Sequence, residues 1–352
     1  MKTKIGINGF GRIGRLLFKM ALKSPNVEVV AINDLGDIEN MTYLLNYDTA
    51  QKDIVDLYGQ KAEFEIVNEN EKYLIVGDRK IQFFSIRNPE ELPWQELGVE
   101  IVAECTGVFN SFEKSKAHLK AGAKKVILSG PTKDSQETEF EEGKIGSTVL
   151  LGINDDKLEN YTITSNASCT TNAVSNVLNI LEKELGVESA FLNTIHSYTA
   201  SQGLVDGPSK KDFRRGRAAA QNIVPTTTGS AKAVGKVLES VKGKFDGMAV
   251  RVPTVSGSLV DLTFISKKET TPEEVNKILE EYSHKEEYKN LVEITKEAVV
   301  STDIIGNENP AIVDLNFTNV IGKLVKVIIW YDNEAGYTQT LLSQIEKMSE
   351  NL

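Results

Sequence analysis

Cysteine, histidine and long apolar runs are scarce in this chain of 352 residues. Its two cysteines, Cys105 and Cys169, lie far apart in the sequence, which fits a reducing compartment. No apolar run approaches the roughly 18 residues that would span a membrane, and no signal-peptide pattern precedes the first apolar strand. We therefore expect a cytoplasmic protein without a membrane partner, and we expect no metal site.

Positively charged residues are also fewer than negatively charged ones. The 40 Lys and Arg residues against 50 Asp and Glu residues leave a net charge of −10, and no basic stripe is present. Phosphate contacts supply most of the affinity of proteins for nucleic acids, so we do not expect a nucleic-acid partner. Any small anion must be held by local groups, because the chain as a whole repels it. The length alone suggests about two domains.

One cysteine stands directly before a pattern that is typical of a helix. Apolar residues recur every three or four positions after Ser168-Cys169-Thr170, which predicts an amphipathic helix that begins near Thr170. The predicted buried stripe consists of Ala173, Val174, Val177, Leu178, Leu181 and Leu185. Cys169 would face the positive end of this helix, where amide groups and the macrodipole lower the pKa of a thiol. A small core cysteine is the alternative that this motif leaves open.

A reactive thiolate needs an imidazole partner, and the chain has three histidines. We expect His118 to be solvated on a surface helix capped by Asn110, and His284 to be solvated among charged neighbours. His196 instead ends the apolar run of residues 190–195, a predicted buried strand, and opens a loop rich in hydroxyls and glycine. Catalytic groups gather at such strand ends, so elimination leaves His196 as the base for Cys169.

A glycine motif near the start of the chain follows a short apolar strand and precedes a helical pattern. Residues 9–14 read Gly-Phe-Gly-Arg-Ile-Gly, and this strand, turn and helix context is the one that a dinucleotide site requires. Asp34 ends the next strand about 20 residues later, where a carboxylate binds the 2′-hydroxyl of NAD and repels the 2′-phosphate of NADP. The motif therefore predicts NAD as the cofactor. A glycine turn beside a solvated aspartate is the alternative.

A dinucleotide site and a thiolate in one chain indicate oxidation of an aldehyde through a covalent thiohemiacetal and a thioester. At these residues the chain resembles the glyceraldehyde-3-phosphate dehydrogenase family, nearly from end to end. The resemblance rests on INGFGRIGR at 7–15, CTGVF at 105–109, AGAKKV at 121–126, SNASCTTN at 165–172, HSYT at 196–199, RVPT at 251–254 and WYDNE at 330–334.

The resemblance implies a reaction and a role for each matching position. The reaction is the glycolytic oxidation of D-glyceraldehyde 3-phosphate with NAD and inorganic phosphate, with Cys169 as the nucleophile and His196 as the base. Thr199 and Arg251 match the pocket for the substrate's phosphate. The pocket for inorganic phosphate is matched by Ser168, Thr170, Arg215 and Thr228. The implied cofactor residues are Gly9, Phe10, Gly11, Arg12, Ile13, Asp34, Thr106 and Asn333. A homotetramer is implied as well.

The predicted fold class is α/β, with a doubly wound parallel (Rossmann) sheet domain and an α+β catalytic domain whose sheet is mostly antiparallel or mixed. We expect residues 1–168 and the C-terminal helix of 334–352 to form the NAD-binding domain, and residues 169–333 to form the catalytic domain. Residues 126–128 and 149–151 read as buried strands of the first sheet. The acidic segment 132–147 is expected to be a solvated surface loop.

Two other functions stay open on the sequence. Erythrose-4-phosphate dehydrogenase shares the cysteine, histidine and glycine motifs, although Thr199 and the hydroxyl run of residues 226–228 argue against it. A non-catalytic binding role belongs to a different class of function. The acidic composition gives it little support where the partner is a nucleic acid.

Overall fold

The computed structural model describes residues 1–51, 59–69, 71–141, 143–210, 212–350 and 352. These residues form two compact units. The first unit comprises Met1–Val149, Asn154–Ala167 and Thr338–Leu352, and the second comprises Leu150–Ile153 and Ser168–Tyr337. Each unit is built around its own sheet.

A ten-stranded sheet organises the first unit, in the order β3-β4-β5-β2-β1-β6-β7-β10-β9-β8. Its strands are β1 (Thr3–Asn8), β2 (Val27–Asn33), β3 (Glu63–Asn68), β4 (Glu71–Val76), β5 (Arg79–Phe84), β6 (Ile101–Glu104), β7 (Lys125–Leu128), β8 (Glu137–Glu141), β9 (Lys144–Thr148) and β10 (Ile163–Ser165). The run from β5 to β9 is parallel, and antiparallel strands extend it at both ends. The predicted Rossmann-type sheet is confirmed.

The helices of the first unit follow its strands, as a doubly wound sheet requires. They are α1 (Arg12–Ala21), α2 (Ile38–Asn46), α3 (Trp94–Leu97) and α4 (Phe112–Lys120), with short 3₁₀ turns at Pro89–Glu91 and Asp155–Asn160. Ile5 and Ile7 of β1 are fully buried beneath Leu17 of α1. Leu341 and Ile345 of the last helix lie in the same core.

A seven-stranded mixed sheet organises the second unit, in the order β12-β13-β11-β14-β17-β16-β15. Its strands are β11 (Val187–Ser197), β12 (Val224–Thr227), β13 (Phe245–Val252), β14 (Ser258–Ser266), β15 (Glu293–Thr295), β16 (Ile312–Ile321) and β17 (Leu324–Tyr331). The helices are α5 (Cys169–Leu185), α6 (Ser230–Val237) and α7 (Pro272–Ser283), and 3₁₀ turns occupy Phe213–Gly216, Glu239–Val241 and Glu286–Tyr288. The last helix, α8 (Ala335–Ser349), begins in this unit, but from Thr338 onward it belongs to the first unit. The apolar stripe of α5 packs on one face of this sheet. Within the described ranges, no helix is both long and apolar enough to cross a bilayer.

Two local predictions for the first sheet are wrong. Residues 149–151 are buried, but they form an irregular segment after β9 that leads into a turn at Leu151, so they are not a strand. The acidic segment 132–147 is not a plain loop, because β8 and β9 form an antiparallel hairpin at the edge of the sheet. Phe140 of β8 packs against the small core around Phe112, which explains why the hairpin holds. Glu142 lies outside the described residues.

Candidate active site

The three glycines of the motif at residues 9–14 have different structural roles. Gly9 has φ +94°, and a Cβ there would come within 2.6 Å of the backbone nitrogen of Thr106. A Cβ on Gly14 would lie 2.0 Å from the carbonyl oxygen of Gly9, so α1 could not pack as it does. A Cβ on Gly11 would meet nothing within 4 Å. The first and third glycines therefore shape the turn, and the second leaves space through which a ligand can approach the backbone.

Asp34 follows β2, beside the glycine turn. Its Oδ2 accepts a hydrogen bond from the backbone N–H of Phe10 at 2.6 Å, and its Oδ1 accepts from that of Gly36 at 2.7 Å. The carboxylate lines a cavity of about 410 Å³ together with Gly9, Gly11 and Thr106. The cavity lies at the carboxyl ends of β1, β2 and β6, where doubly wound sheets bind ligands.

Arg12 and Ile13 of the glycine motif contribute differently. Arg12, the first residue of α1, places Nη1 2.8 Å from both carboxylate oxygens of Asp48. Burial raises the pKa of Asp48, but hydrogen bonds from Gln51, Arg12 and Ala50 outweigh it and leave the pKa below its usual value. Ile13 packs against the core of the first unit. The side chains of both residues are thus committed to the protein, and their backbone groups are the ones suited to hold a pyrophosphate.

His118 is fully buried, so the prediction that it is solvated is wrong. Its helix begins after an N-cap at Ser111 rather than at Asn110. The indole Nε1–H of Trp94 donates to His118 Nδ1 at 3.1 Å, and His118 Nε2 lies 3.1 Å from Glu104 Oε2. An indole nitrogen only donates, so Nδ1 must be the acceptor and Nε2 must carry the proton. His118 therefore donates to Glu104.

Glu104 is the centre of a polar network beneath the cavity. Its Oε2 accepts from Asn8 Nδ2 at 2.6 Å, and its Oε1 accepts from the backbone N–H of Thr106 at 2.8 Å and from the Thr106 hydroxyl. Asn8 Oδ1 accepts in turn from Asn33 Nδ2 at 2.8 Å, and Asn33 bonds the backbone of Ile86. The network joins the ends of β1, β2 and β6 to the segment after β5. Sequence reasoning missed it, because no local pattern links these positions.

Cys169 is the first residue of α5, so the helix begins one position before the predicted start at Thr170. Ser168 caps the helix, and its Oγ accepts from the backbone N–H of Thr171 at 3.1 Å. Ala167 has φ +54°, a strained conformation for a residue other than glycine. Such strain concentrates at functional sites. The helix start thus presents the thiol at the positive end of the macrodipole, as predicted.

The strand register of the second sheet determines where His196 lies. Parallel pairing of β11 with β13 sets His196 beside Arg251. His196 Nε2 lies 3.4 Å from Cys169 Sγ, so the thiol and the imidazole do meet. The ring of Tyr331 packs edge-on against that of His196, with centroids 5.9 Å apart. The Tyr331 hydroxyl is fixed by Thr170 at 2.9 Å and Thr194 at 2.7 Å.

The pKa values of this pair differ from the expectation of a lowered thiol pKa. Burial raises the pKa of Cys169, and the charge of Arg251 and hydrogen bonds from Thr170 offset that effect only in part. Burial and then the charge of Arg251 lower the pKa of His196 to about 3. The 3.4 Å contact between Sγ and Nε2 places the imidazole where it can exchange a proton with the thiol.

Two of the four hydroxyl residues expected at phosphate sites, Ser168 and Thr228, are linked through a third hydroxyl. Ser168 Oγ lies 3.1 Å from Ser230 Oγ, which lies 2.9 Å from Thr228 Oγ1. Sequence reasoning missed Ser230, which completes this cluster at the start of α6. The Thr170 hydroxyl bonds Tyr331 instead, and Thr199 Oγ1 lies 2.9 Å from Ser201 Oγ.

Arg215 and Asn333 are both held by hydroxyls. Arg215 Nε donates to Thr226 Oγ1 at 2.9 Å. Asn333 Oδ1 accepts from the hydroxyls of Ser197 and Ser258, each at 2.9 Å. Because the carbonyl end of the Asn333 amide is used in this way, its Nδ2 end is the one suited to bind a ligand carbonyl.

These features define a class of protein: an oxidoreductase with a Rossmann-type NAD site and a cysteine–histidine pair. The family model described as glyceraldehyde 3-phosphate dehydrogenase, NAD binding domain, matches residues 3–112, and that described as the C-terminal domain matches residues 168–333. The cytosolic glyceraldehyde-3-phosphate dehydrogenase of Craterostigma plantagineum is 44% identical over 99% of this chain and 98% of its own length. That of Atriplex nummularia is 43% identical over 99% of this chain and 92% of its own. The chain belongs to the glyceraldehyde-3-phosphate dehydrogenase family, and NAD is its cofactor.

Proposed function

We propose that the chain oxidises D-glyceraldehyde 3-phosphate to 1,3-bisphosphoglycerate with NAD and inorganic phosphate. The observation that carries this proposal is the 3.4 Å approach of Cys169 Sγ to His196 Nε2, in a chain whose other unit holds the dinucleotide motif. The relatives' names support the same substrate. They do not favour erythrose-4-phosphate dehydrogenase, the related alternative.

The cysteine and the histidine share the bond changes. Sγ of Cys169 attacks the aldehyde carbon while His196 Nε2 accepts the thiol proton and passes it to the carbonyl oxygen, which gives a thiohemiacetal. The hydroxyl proton then returns to His196 Nε2 and the hydride leaves to the cofactor, which converts the thiohemiacetal to a thioester. A phosphate oxygen then attacks the thioester carbon, and the C–S bond breaks to release the acyl phosphate and the thiolate. The N-terminus of α5 is placed to stabilise the oxyanion that forms at each attack.

NAD, when bound, supplies the hydride acceptor. We assign its binding to Gly9, Phe10, Gly11, Arg12, Ile13, Asp34, Thr106 and Asn333. The open side of Gly11 and the fixed carboxylate of Asp34 fit a pyrophosphate and an adenosine ribose. The free space beside Gly11 has no other use in the packing of α1.

The phosphate groups are assigned to the hydroxyls and guanidinium groups of the second unit. Thr199 and Arg251 are proposed to bind the substrate's phosphate, and Ser168, Thr170, Arg215 and Thr228 to bind inorganic phosphate. Ser230 joins the second set, because its hydroxyl links those of Ser168 and Thr228. Local donors of this kind are necessary in a chain of net charge −10.

We also propose a cytoplasmic homotetramer, in which residues 1–168 with 334–352 bind NAD and residues 169–333 carry the chemistry. The support for assembly is an apolar surface on the second sheet. By register, Phe191, Met248, Ile265, Ile321 and Leu324 share the face opposite α5, and all five are exposed. Exposed apolar faces of this kind mark contacts with other chains.

Initial rates of NADH formation test the reaction. We expect activity with glyceraldehyde 3-phosphate that requires inorganic phosphate, with much weaker activity on erythrose 4-phosphate or with NADP. Arsenate in place of phosphate serves as a control for attack on the thioester. Equal rates with and without phosphate, or a preference for erythrose 4-phosphate, would contradict the proposal.

A further inference from the structure

The side-chain amide of Asn333 can lie in its site in two ways that differ little in shape. A half turn of the amide exchanges the carbonyl oxygen Oδ1 for the NH₂ group of Nδ2, and so exchanges an acceptor for donors. In the structure Oδ1 accepts from Ser197 Oγ and from Ser258 Oγ, each at 2.9 Å. Nδ2 has no hydrogen-bond partner within the described part of the chain. The two serines therefore decide which end of the amide a ligand meets.

The hydroxyl of Ser258 is committed as a donor to Asn333. Ser258 Oγ accepts the backbone N–H of Ser197 at 3.1 Å, so its own O–H is left to donate, and Asn333 Oδ1 is the acceptor. If the amide were turned, Nδ2–H would face this hydroxyl and the O–H would lose its acceptor. Both serines are almost completely buried, so water does not replace that acceptor. Ser258 thus favours the observed orientation of the amide.

The strands of the second sheet hold the two serines in place. Ser197 ends β11 and Ser258 begins β14, and the antiparallel pairing of these strands brings the two ends together. On its other side, Ser258 pairs with Tyr331, the last residue of β17, two positions before Asn333. The hydroxyl of Ser258 therefore acts on the amide from a fixed point at the end of a central strand.

The backbone around Asn333 is anchored independently of Ser258. The carboxylate of Asp332 accepts from the backbone N–H of Glu334 at 2.8 Å through Oδ1 and from that of Gly306 at 2.7 Å through Oδ2. These bonds hold the chain on both sides of the Asn333 side chain. Loss of the Ser258 hydroxyl would thus leave the amide where it is but allow it to turn about its last bond.

We propose that Ser258 is a positioning residue for the cofactor, because its hydroxyl turns the Asn333 amide so that Nδ2–H faces the ligand. The inference deepens the proposed function, on which it rests through the assignment of Asn333 to NAD. A fixed N–H donor binds a carbonyl oxygen and not an amide N–H. The carbonyl of the nicotinamide carboxamide is therefore the group that Asn333 recognises, and an analogue that keeps this carbonyl but lacks the NH₂ group is accepted.

Binding without turnover tests the proposal. Isothermal titration calorimetry gives the dissociation constants of NAD, of 3-acetylpyridine adenine dinucleotide, which keeps the carbonyl without the NH₂ group, and of ADP-ribose, which lacks the nicotinamide. We expect the wild type to bind the acetylpyridine analogue about as tightly as NAD. In Ser258→Ala the amide can turn and accept from the NH₂ group of NAD, which the analogue lacks. The dissociation constant of the analogue should rise about tenfold, that of NAD clearly less, and that of ADP-ribose not at all.

Ser266→Ala is the matched control. Ser266 ends the same strand, β14, is fully buried and bonds the backbone of Lys268, so its loss should leave all three constants unchanged. The proposal is overturned if Ser258→Ala weakens NAD and the analogue equally, weakens neither, or weakens ADP-ribose as much as the analogue. A wild type that discriminates strongly against the analogue overturns it as well. NADH formation from glyceraldehyde 3-phosphate and phosphate by the wild type tests the proposed function separately, so such a failure does not extend to it.

Discussion

At the scale of single residues, the proposed chemistry depends on the thiol of Cys169 and the imidazole of His196. Burial keeps the pKa of Cys169 high, and burial with the charge of Arg251 keeps that of His196 low. The start of α5 and the 3.4 Å contact nevertheless place the sulfur where only proton transfer is needed. The proposed chemistry therefore rests on one sulfur atom.

Replacement of that sulfur gives the first prediction. Cys169→Ser should reduce aldehyde oxidation to less than about 1% of the wild-type rate, because a hydroxyl is far less acidic than a thiol. NAD binding, followed by quenching of protein fluorescence, should stay nearly unchanged. Cys105→Ser is the matched control, because Cys105 is the other thiol of the chain. It should keep its activity, since the proposed bond changes do not involve its sulfur. A serine variant at 169 that retains several per cent of the rate would show that the nucleophile lies elsewhere.

The role proposed for Asp34 in the choice between NAD and NADP gives the second prediction. Asp34→Ala should shift the ratio of kcat/KM for NAD to that for NADP toward NADP by roughly 10- to 100-fold, the worth of a hydrogen bond to a charged group. Full use of NADP is not expected, since Leu35 still borders the cavity and the chain has no arginine next to position 34. The ratio is measured for the wild type and the variant side by side. An unchanged ratio would remove the role given to Asp34.

At the scale of secondary-structure elements, the sequence predicts the helices whose start or buried face is marked by a local sequence pattern. The capping sequence at Thr271 starts α7, with Thr271 Oγ1 accepting from the N–H of Glu274 at 3.2 Å. The apolar stripe after Cys169 likewise gives α5. Local patterns suffice there because caps and stripes involve residues three or four positions apart.

Elements and side chains with distant partners are harder to predict. The burial of His118 depends on Glu104 and Trp94, which no helical periodicity reveals. The hairpin of β8 and β9 joins the sheet through the parallel pairing of β9 with β10. In the candidate site, the sequence gives Cys169 and His196, but the contact of Arg251 follows from strand register, which pattern alone does not fix.

The network across the strand ends yields a prediction of its own. In Glu104→Gln, the amide NH₂ would face the N–H donors of Asn8 and His118, and Trp94 prevents His118 from changing its tautomer. We expect the KM for NAD to rise about tenfold, equivalent to about 1.4 kcal/mol, while kcat at saturating NAD changes little.

A carboxylate at the other end of the same strand provides the control. Glu100 precedes β6 and pairs with Lys124 at the surface, so Glu100→Gln should leave the KM for NAD unchanged. If Glu104→Gln lowers kcat and leaves KM unaltered, the network does not act through the cofactor cavity. Circular dichroism of both variants verifies that they fold.

At the scale of the whole molecule, the second sheet has an unusual face. An antiparallel or mixed sheet with one side in water normally carries polar residues on that side. Here Phe191 is 66% exposed and Ile321 is 78% exposed on the face opposite α5. The sequence predicts a buried strand at residues 190–195, but in the structure the strand alternates, with Leu192 buried and Phe191 exposed. Within this chain, the strand at residues 190–195 is therefore covered on one face only.

This face provides the last prediction. In sedimentation velocity the wild type should behave as a tetramer, and Phe191→Asp combined with Met248→Asp should dissociate it into smaller species. Two carboxylates per chain would be buried without partners at the interface, at a cost of several kcal/mol each. Ile66→Asp, which adds a charge at a 51% exposed apolar position on β3 of the other sheet, is the matched control and should remain tetrameric. If the double variant sediments like the wild type, the contact between chains lies on another surface. If the wild type itself sediments as a monomer, the proposed homotetramer is wrong.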